Sequence, residues 1–96
     1  MKKFVHKVPG GKLVCVKVHE EAGLIKYIQY TGDFFMAPEG DLEELEAKLL
    51  GQKTEPDTVK KTVTDFFAGK KTVIAGASPD DFALVLLQAL NATGTW

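Results

Sequence analysis

Apolar and polar residues alternate with a period of two in the first third of the chain. Between Leu13 and Val18, one face carries Val14, Val16 and Val18, and the other carries Leu13, Cys15 and Lys17. This alternation predicts a half-buried strand, and the run from Leu24 to Thr31 predicts its partner. Glu20-Glu21-Ala22-Gly23 lies between them and ends in a glycine suited to positive φ, so the two runs are predicted to form an antiparallel hairpin.

A third strand is predicted at the edge of this hairpin, from Phe4 to Val8. It precedes a turn at Pro9-Gly10-Gly11. The first third of the chain is therefore expected to form an antiparallel sheet of two to three strands.

The spacing of apolar residues changes to that of a helix in the second half. After Pro38 and Asp41, a predicted helix carries leucines at helical intervals, Leu42, Leu45, Leu49 and Leu50, and Gly51 is placed to end it. Thr54-Glu55-Pro56-Asp57 is predicted to open a second helix, with Thr54 as its cap and Gly69 at its end. Its apolar stripe is Val59, Val63, Phe66 and Phe67.

Ser78-Pro79-Asp80-Asp81 predicts the start of a last helix, which is apolar on all sides as far as Leu90. That helix is either the buried centre of the fold or has its second face on a partner. Before it, Thr72-Val73-Ile74 is either a short strand or a loop with buried side chains. Because strands precede helices, the predicted class is α+β, with the sheet packed against about three helices.

Size and composition limit the functions that are plausible. A chain of 96 residues is predicted to form one domain, residues 1–96, and it is too small to enclose a deep active site. The net charge is −1 and the lysines are scattered, so we expect no nucleic-acid binding. The apolar run from Phe82 to Leu90 is too short to span a bilayer, so we expect no membrane insertion. A single cysteine allows no internal disulfide, which favours a cytoplasmic location.

Residues suited to catalysis are sparse. Cys15 is the only thiol, and a cysteine in the middle of a strand is typically a small buried hydrophobe; a reactive thiol would need exposure and a cationic neighbour. His19 is predicted on the same face, but a solvated strand end explains it more simply than a Cys-His pair. No spacing of cysteine and histidine suits a closed zinc site. We therefore predict no catalytic residue and no metal site.

Two charged segments have simple structural explanations. Gly10-Gly11-Lys12 lacks the length and the following helix of a phosphate loop, so it is predicted to be a turn, although Lys12 could extend towards a ligand held by another protein. An acidic run comprises Glu39, Asp41, Glu43, Glu44 and Glu46. Such a run at a helix start is typical of a solvated face favoured by the helix dipole, and the alternative is docking to a basic partner.

Gly32-Asp33-Phe34-Phe35 is the strongest candidate contact surface. Neighbours on a strand point to opposite faces, so burying one phenylalanine tends to expose the other unless a helix or a partner covers it. We predict that Phe34 and Phe35 are apolar anchors for a partner. Gly32 would allow close backbone approach, and Asp33 would fix the loop or pair with a basic partner residue.

Several segments, in order, resemble the small C-terminal accessory domain of lipoate-protein ligases. They are Val8-Pro9-Gly10-Gly11-Lys12-Leu13, Gly23-Leu24-Ile25, Thr31-Gly32-Asp33-Phe34-Phe35, Leu42-Glu43-Glu44-Leu45-Glu46 and Leu49-Leu50-Gly51. The resemblance runs from about Lys7 to Leu90. No single segment is diagnostic, and their order and spacing carry the resemblance.

The resemblance implies a function for the chain as one part of an enzyme. In this family a large domain binds lipoate and ATP, forms lipoyl-AMP and passes the lipoyl group to a lysine of an acceptor protein. This chain lacks that domain, so it resembles the free-standing small subunit of the bipartite archaeal ligases. The resemblance implies a heterodimer in which the large catalytic subunit holds ATP, Mg and lipoate. Lipoyl-acceptor domains would then be indirect partners.

Two other functions remain open on the sequence alone. One is a sulfur-transfer or iron-sulfur scaffold protein that uses Cys15, because small α+β domains also serve those roles. The other is a protein-interaction module with no link to lipoate.

Overall fold

A computed structural model of the chain describes residues 1–91. Its elements are β1 (Lys2–Lys7), β2 (Leu13–Glu21), β3 (Leu24–Gly32), β4 (Phe35–Ala37), α1 (Gly40–Leu49), α2 (Pro56–Ala68), β5 (Val73–Ala75) and α3 (Pro79–Leu90). The first three strands form one antiparallel sheet in the order β1-β2-β3, and β4 and β5 form a second antiparallel pair. These sheets and helices confirm the predicted α+β class. The predicted domain, residues 1–96, extends past the described residues.

Alternation along β2 determines which side of the sheet is covered. Val14, Val16 and Val18 are fully buried against the helices, whereas Leu13 and Lys17 on the opposite side are exposed. The hairpin turn is tighter than predicted, because β2 continues to Glu21 and β3 begins at Leu24. Only Ala22 and Gly23 remain in the turn, with φ of 53° and 77°, which is the left-handed conformation that two-residue hairpin turns require.

Helix α3 is the centre of the fold. It packs against α2, β1 and β2, and its buried residues are Phe82, Ala83, Val85, Leu86, Ala89 and Leu90. Its start is capped as predicted, because the Asp81 carboxylate accepts hydrogen bonds from the Ser78 backbone N–H at 2.8 Å and the Ser78 hydroxyl at 2.9 Å. Of the two explanations for its all-round apolar surface, burial in the core is the correct one for most of the helix, and Leu84 is the exposed exception.

The predicted end of α1 at Gly51 is confirmed, and the predicted start of α2 is wrong by a residue. Leu50 belongs to the C-cap of α1 and is exposed, so it does not extend the buried leucine stripe; Gly51 follows with φ of 84°, as predicted for a helix end. Thr54 does not occupy the cap position of α2; it lies in the extended segment beside the hairpin, where its backbone N–H donates to the Gly23 carbonyl at 3.0 Å. Glu55 takes the cap position instead.

The acidic run is not a fully solvated face, and that prediction needs correction. Asp41 is only 7% exposed and accepts a hydrogen bond from the Thr72 hydroxyl at 2.5 Å. Glu44 pairs with Lys70, and a Glu46 carboxylate oxygen accepts from the Tyr30 backbone N–H at 2.6 Å. Helix α1 lies beside β3 and the segment before β5, so several of its acids stabilise internal contacts.

No helix within residues 1–91 is both long enough and apolar enough to cross a membrane.

Candidate docking surface

The β4–β5 pair presents an apolar face to solvent. The register pairs Phe35 with Ala75 and Ala37 with Val73, and alternation places these four side chains together on the side away from the core. Phe35 is 58% exposed and Val73 is 60% exposed. We call this group of Phe35, Ala37, Val73 and Ala75 the β4–β5 face. A cluster of exposed apolar side chains on a small domain is typical of a protein interaction site.

The two neighbouring phenylalanines point in opposite directions. Phe34 packs against the core, with its ring 5.1 Å from that of Phe82 at an interplanar angle of 89°, which is a favourable edge-to-face arrangement. Phe35 therefore faces outward, and Met36 after it is buried again. Only Phe35 of the pair is positioned to contact a partner, and Phe34 supports it from behind.

Gly32 and Asp33 hold this segment in place. A Cβ atom at Gly32 would overlap the Leu13 carbonyl oxygen and would lie 2.9 Å from the Phe34 ring, so the close packing of this loop requires glycine. An Asp33 carboxylate oxygen accepts a hydrogen bond from the Leu13 backbone N–H at 2.7 Å. Of the two roles predicted for Asp33, the geometry supports fixing the loop.

A shallow groove of about 320 Å³ runs beside Phe35 and is lined by Thr31, Gly32, Phe34, Phe35, Met36, Glu39 and Leu42. Among the described residues that line it, none is a lysine and Glu39 alone is charged. A triphosphate needs cationic or N–H donors, so this groove does not suit ATP. It suits an apolar side chain from another protein.

Helix α1, which forms one side of this groove, is joined to β3 by a charged hydrogen bond. Burial raises the pKa of Glu46; the hydrogen bond from the Tyr30 N–H opposes that rise and the nearby Glu43 charge adds to it. Burial also raises the pKa of Tyr30, with a further contribution from Glu46. The Tyr30 hydroxyl donates to the Phe82 carbonyl at 2.8 Å. The carboxylate satisfies a backbone donor at the edge of β3, which protects that strand edge from pairing with another chain.

Lys12 lies at the same end of the sheet as Asp33. Its backbone N–H donates to the Gly76 carbonyl at 2.8 Å, and the next residue, Leu13, is the one bound by Asp33. The turn predicted at Gly10-Gly11-Lys12 is confirmed by a hydrogen bond of 2.8 Å from the Gly11 N–H to the Val8 carbonyl. The Lys12 side chain lies against Gly76 and is exposed. A role for Lys12 towards a ligand remains a prediction.

Cys15 is half-buried on the outer side of the β1-β2-β3 sheet, with Val5 and Thr31 as its neighbours across the strands. The expectation of a buried hydrophobe is thus only partly correct, because no helix within residues 1–91 covers this side of the sheet. Among residues 1–91, no group of three or more histidine, cysteine, aspartate or glutamate side chains is arranged to hold a metal ion.

Val73 and Ala75 are members of the site that the sequence did not predict. The alternation Thr72-Val73-Ile74-Ala75 was compatible with a strand, and the structure shows that strand with Ile74 inward. Its partner is distant in sequence, because β4 lies before α1 and β5 after α2. The sequence alone therefore did not bring these residues next to Phe35.

The chain matches a known protein family. The family model described as bacterial lipoate protein ligase C-terminus matches residues 2–86. These residues include all five strands, helices α1 and α2, and the first part of α3. The chain belongs to this lipoate-protein ligase C-terminal family. The family predicted by resemblance is therefore confirmed.

A curated relative and a solved structure that match this chain both come from the same archaeon. The chain is 32% identical over 74 residues to lipoate-protein ligase A subunit 2 of Thermoplasma acidophilum, a match covering 77% of this chain and 76% of the relative. A solved structure, described as a bi-partite lipoate protein ligase and its E2 lipoyl domain from Thermoplasma acidophilum, matches with a TM-score of 0.72 and 30% identity. That match covers 95% of this chain and 92% of the solved one, so the likeness extends over both chains almost entirely.

Proposed function

We propose that this protein is the small, non-catalytic subunit of a two-component lipoate-protein ligase. The observation that carries the proposal is the match over nearly the full length of both chains to a protein of the bipartite Thermoplasma system. The small size of the chain and its shallow grooves agree with a subunit that completes a site located mainly on another protein.

The β4–β5 face is the proposed contact with the large subunit. Phe35 and Val73 are the side chains best suited to act as anchors, because each is large, apolar and exposed on a short paired strand rather than on a free loop. Rigid apolar anchors bind at low conformational cost. The adjoining groove offers a place for a side chain of the partner.

The chemistry of such a ligase explains why a second subunit would help. In the activation step, the carboxylate of lipoate attacks the α-phosphorus of ATP and pyrophosphate leaves. In the transfer step, the amine of an acceptor lysine attacks the carbonyl carbon of lipoyl-AMP, AMP leaves and the amine loses a proton. The first step requires two reactants held in line and shielded from water. We propose that this chain packs over the large subunit and orders the loops that hold ATP, Mg and lipoate.

The second step requires access for a bulky acceptor protein. A small subunit held by a limited apolar surface can shift without unfolding, so the same contact can serve both steps. The single Cys15 and the absence of a disulfide framework support a reducing, cytoplasmic setting for this proposal.

The decisive experiment measures lipoate-dependent pyrophosphate release by a lipoate-ligase large subunit with and without this protein. We expect activity only in the mixture. Equal activity of the large subunit alone would refute the proposed function.

The β4–β5 face is tested separately with Phe35→Ala, because truncating Phe34 would also remove contacts in the core. We expect Phe35→Ala to weaken the complex by about thirtyfold or more in a binding titration, the size of a hot-spot residue, while the variant stays folded. Leu84→Ala is the matched control, since Leu84 is an exposed leucine on α3 outside the β4–β5 face. If Phe35→Ala bound the large subunit with normal affinity, the β4–β5 face would not be the contact surface, even if the mixture were active.

The sulfur-transfer and iron-sulfur hypotheses are separated from this proposal by Cys15→Ser. Those functions require the thiol, so the Cys15→Ser variant would lose the sulfur-transfer or cluster-assembly activity. The ligase-subunit proposal predicts full pyrophosphate release in the mixture with Cys15→Ser. A plain interaction module would give no activity in the mixture at all.

A further inference from the structure

The outer side of the β1-β2-β3 sheet is a second surface that no other element of residues 1–91 covers. Burial alternates along these strands, so one set of side chains faces away from the core: Lys3, Val5, Lys7, Leu13, Cys15, Lys17, His19, Tyr27, Gln29 and Thr31. We call this set the open face. Val5, Leu13 and Tyr27 are exposed apolar or aromatic residues within it. The open face adjoins the groove beside Phe35, because Thr31 belongs to both.

Two lysines face each other directly across strands on the open face. The register pairs Lys3 on β1 with Lys17 on β2, and Gln29 is the neighbour of Lys17 on β3. Like charges in directly opposed positions destabilise a sheet, and neither lysine forms an ion pair within residues 1–91. A local arrangement that costs stability without an internal compensation points to a functional site.

Acidic groups lie at the ends of this sheet and not in its middle. Strands β1 and β3 contain no acidic residue, and those of β2 are Glu20 and Glu21 next to the hairpin turn. Asp33, at the other end, is engaged with the Leu13 N–H. The acids of α1 are held on a different side, against Thr72, Lys70 and Tyr30 as described above. The centre of the open face is thus cationic and apolar, although the net charge of the chain is −1.

The size of the open face indicates a transient partner. The three strands have six, nine and nine residues. At about 4.8 Å between strands and about 3.3 Å per residue they cover roughly 400 Å², which is below the area that each partner buries in a stable complex. Charge complementarity over such an area mainly speeds association and leaves dissociation fast. A protein that must leave after each reaction fits these properties.

We propose that the open face binds an acidic surface of the lipoyl-acceptor domain and presents that domain to the active site of the heterodimer. This inference rests on the proposed function. The acceptor is the transient protein of the reaction, and the open face borders the β4–β5 face, where the large subunit is placed. Lys3 and Lys17 would pair with carboxylates of the acceptor, and Tyr27 and Val5 would contact apolar atoms between them.

The test compares two charge-reversed variants in steady-state lipoylation of an apo lipoyl domain by the heterodimer. One carries Lys3→Glu and Lys17→Glu on the open face. The control carries Lys60→Glu and Lys61→Glu, two exposed lysines on α2, and has the same change in net charge. We expect the KM for the acceptor to rise about tenfold in the open-face variant and to become less dependent on salt, with kcat unchanged. We expect the control to behave as the unmodified protein.

Two other readouts separate this inference from the proposed function. Heterodimer formation and lipoate-dependent pyrophosphate release do not involve the acceptor, so they should be normal in the open-face variant. Loss of heterodimer formation would assign the open face to the large subunit and overturn the inference. An equal rise in KM for both variants would also overturn it, because the effect would then come from overall charge.

Cys15 supplies a readout that does not depend on activity. It is the only cysteine of the chain and lies in the middle row of the open face, between Val5 and Thr31. We expect the apo lipoyl domain to slow alkylation of Cys15 in the heterodimer, as followed by mass spectrometry, and we expect a single-stranded oligonucleotide at the same salt concentration to have no such effect. Protection by the oligonucleotide, or none by the lipoyl domain, would overturn the inference.

Discussion

Truncation of the two adjacent phenylalanines should affect different properties of the protein. Phe34 lies partly buried with its ring edge-to-face against Phe82, whereas Phe35 is mostly exposed on β4. Phe34→Ala removes core contacts, and Phe35→Ala removes a side chain that touches little of its own protein. We therefore expect Phe34→Ala to lower the free energy of unfolding and Phe35→Ala to leave it nearly unchanged.

The size of the effect follows from the burial of Phe34. Truncating a fully buried phenylalanine costs about 3–5 kcal/mol, and the partial burial of Phe34 reduces this to about 2 kcal/mol, of which the edge-to-face pair with Phe82 contributes about 1 kcal/mol. A chain of this size is stabilised by only about 5–14 kcal/mol. Such a loss lowers Tm by roughly 8–16 °C. For Phe35→Ala, we expect a change within about 0.5 kcal/mol.

Urea unfolding of the isolated variants, followed by circular dichroism, measures both values. The m-values should match that of the unmodified protein, which would show that each variant unfolds from a similar native state. Equal destabilisation by the two truncations, or a larger loss for Phe35→Ala, would refute the assignment of Phe34 to the core and Phe35 to the surface. It would also remove the basis for using Phe35→Ala as a binding variant.

Three further substitutions test the contacts around this site. Tyr30→Phe removes the hydrogen bond to the Phe82 carbonyl, and we expect a loss of about 1 kcal/mol in urea unfolding; no loss would mean that the bond contributes nothing net. The pKa of Glu46 is raised in the folded state, so its carboxyl favours folding more when protonated, and stability should fall as pH rises from its ordinary value of 4.5 through the folded value. Glu46→Gln removes this titrating group, so the free energy of unfolding of the variant, relative to that of the unmodified protein, should increase with pH over this window. Urea unfolding of both proteins at matched pH values measures the difference. A difference that decreases with pH would contradict the raised pKa of Glu46. Gly32→Ala places a methyl group against the Leu13 carbonyl, and we expect a loss of about 1–3 kcal/mol, with Tm as the measurement; an unchanged Tm would show that the loop relaxes freely.

Much of the secondary structure was predictable because local rules and tertiary packing agree in these elements. Val14, Val16 and Val18 alternate along β2 and are all buried, and Ser78 and Asp81 form the predicted start of α3. The errors came where a distant contact overrode a local preference. Thr54 has the chemistry of a cap, but its backbone is held by the hairpin turn, so the helix begins later.

The candidate site was predictable only in part, for a similar reason. The sequence drew attention to Gly32-Asp33-Phe34-Phe35 but left open which phenylalanine faces outward. That choice depends on Phe82, which is remote in sequence and packs behind Phe34. The acidic run was also misjudged, because the buried position of Asp41 depends on Thr72 from another segment.

By itself, the sequence determined the α+β class, the covered side of the first sheet and the family of this protein, because these depend on short-range periodicity and on the order of local segments. Only the tertiary structure decided which surfaces remain exposed. It paired β4 with the distant β5 to form an apolar face, and it opposed Lys3 to Lys17 on a side that none of the described helices covers. Exposure depends on which distant segments meet, and the pattern within a single segment does not record this.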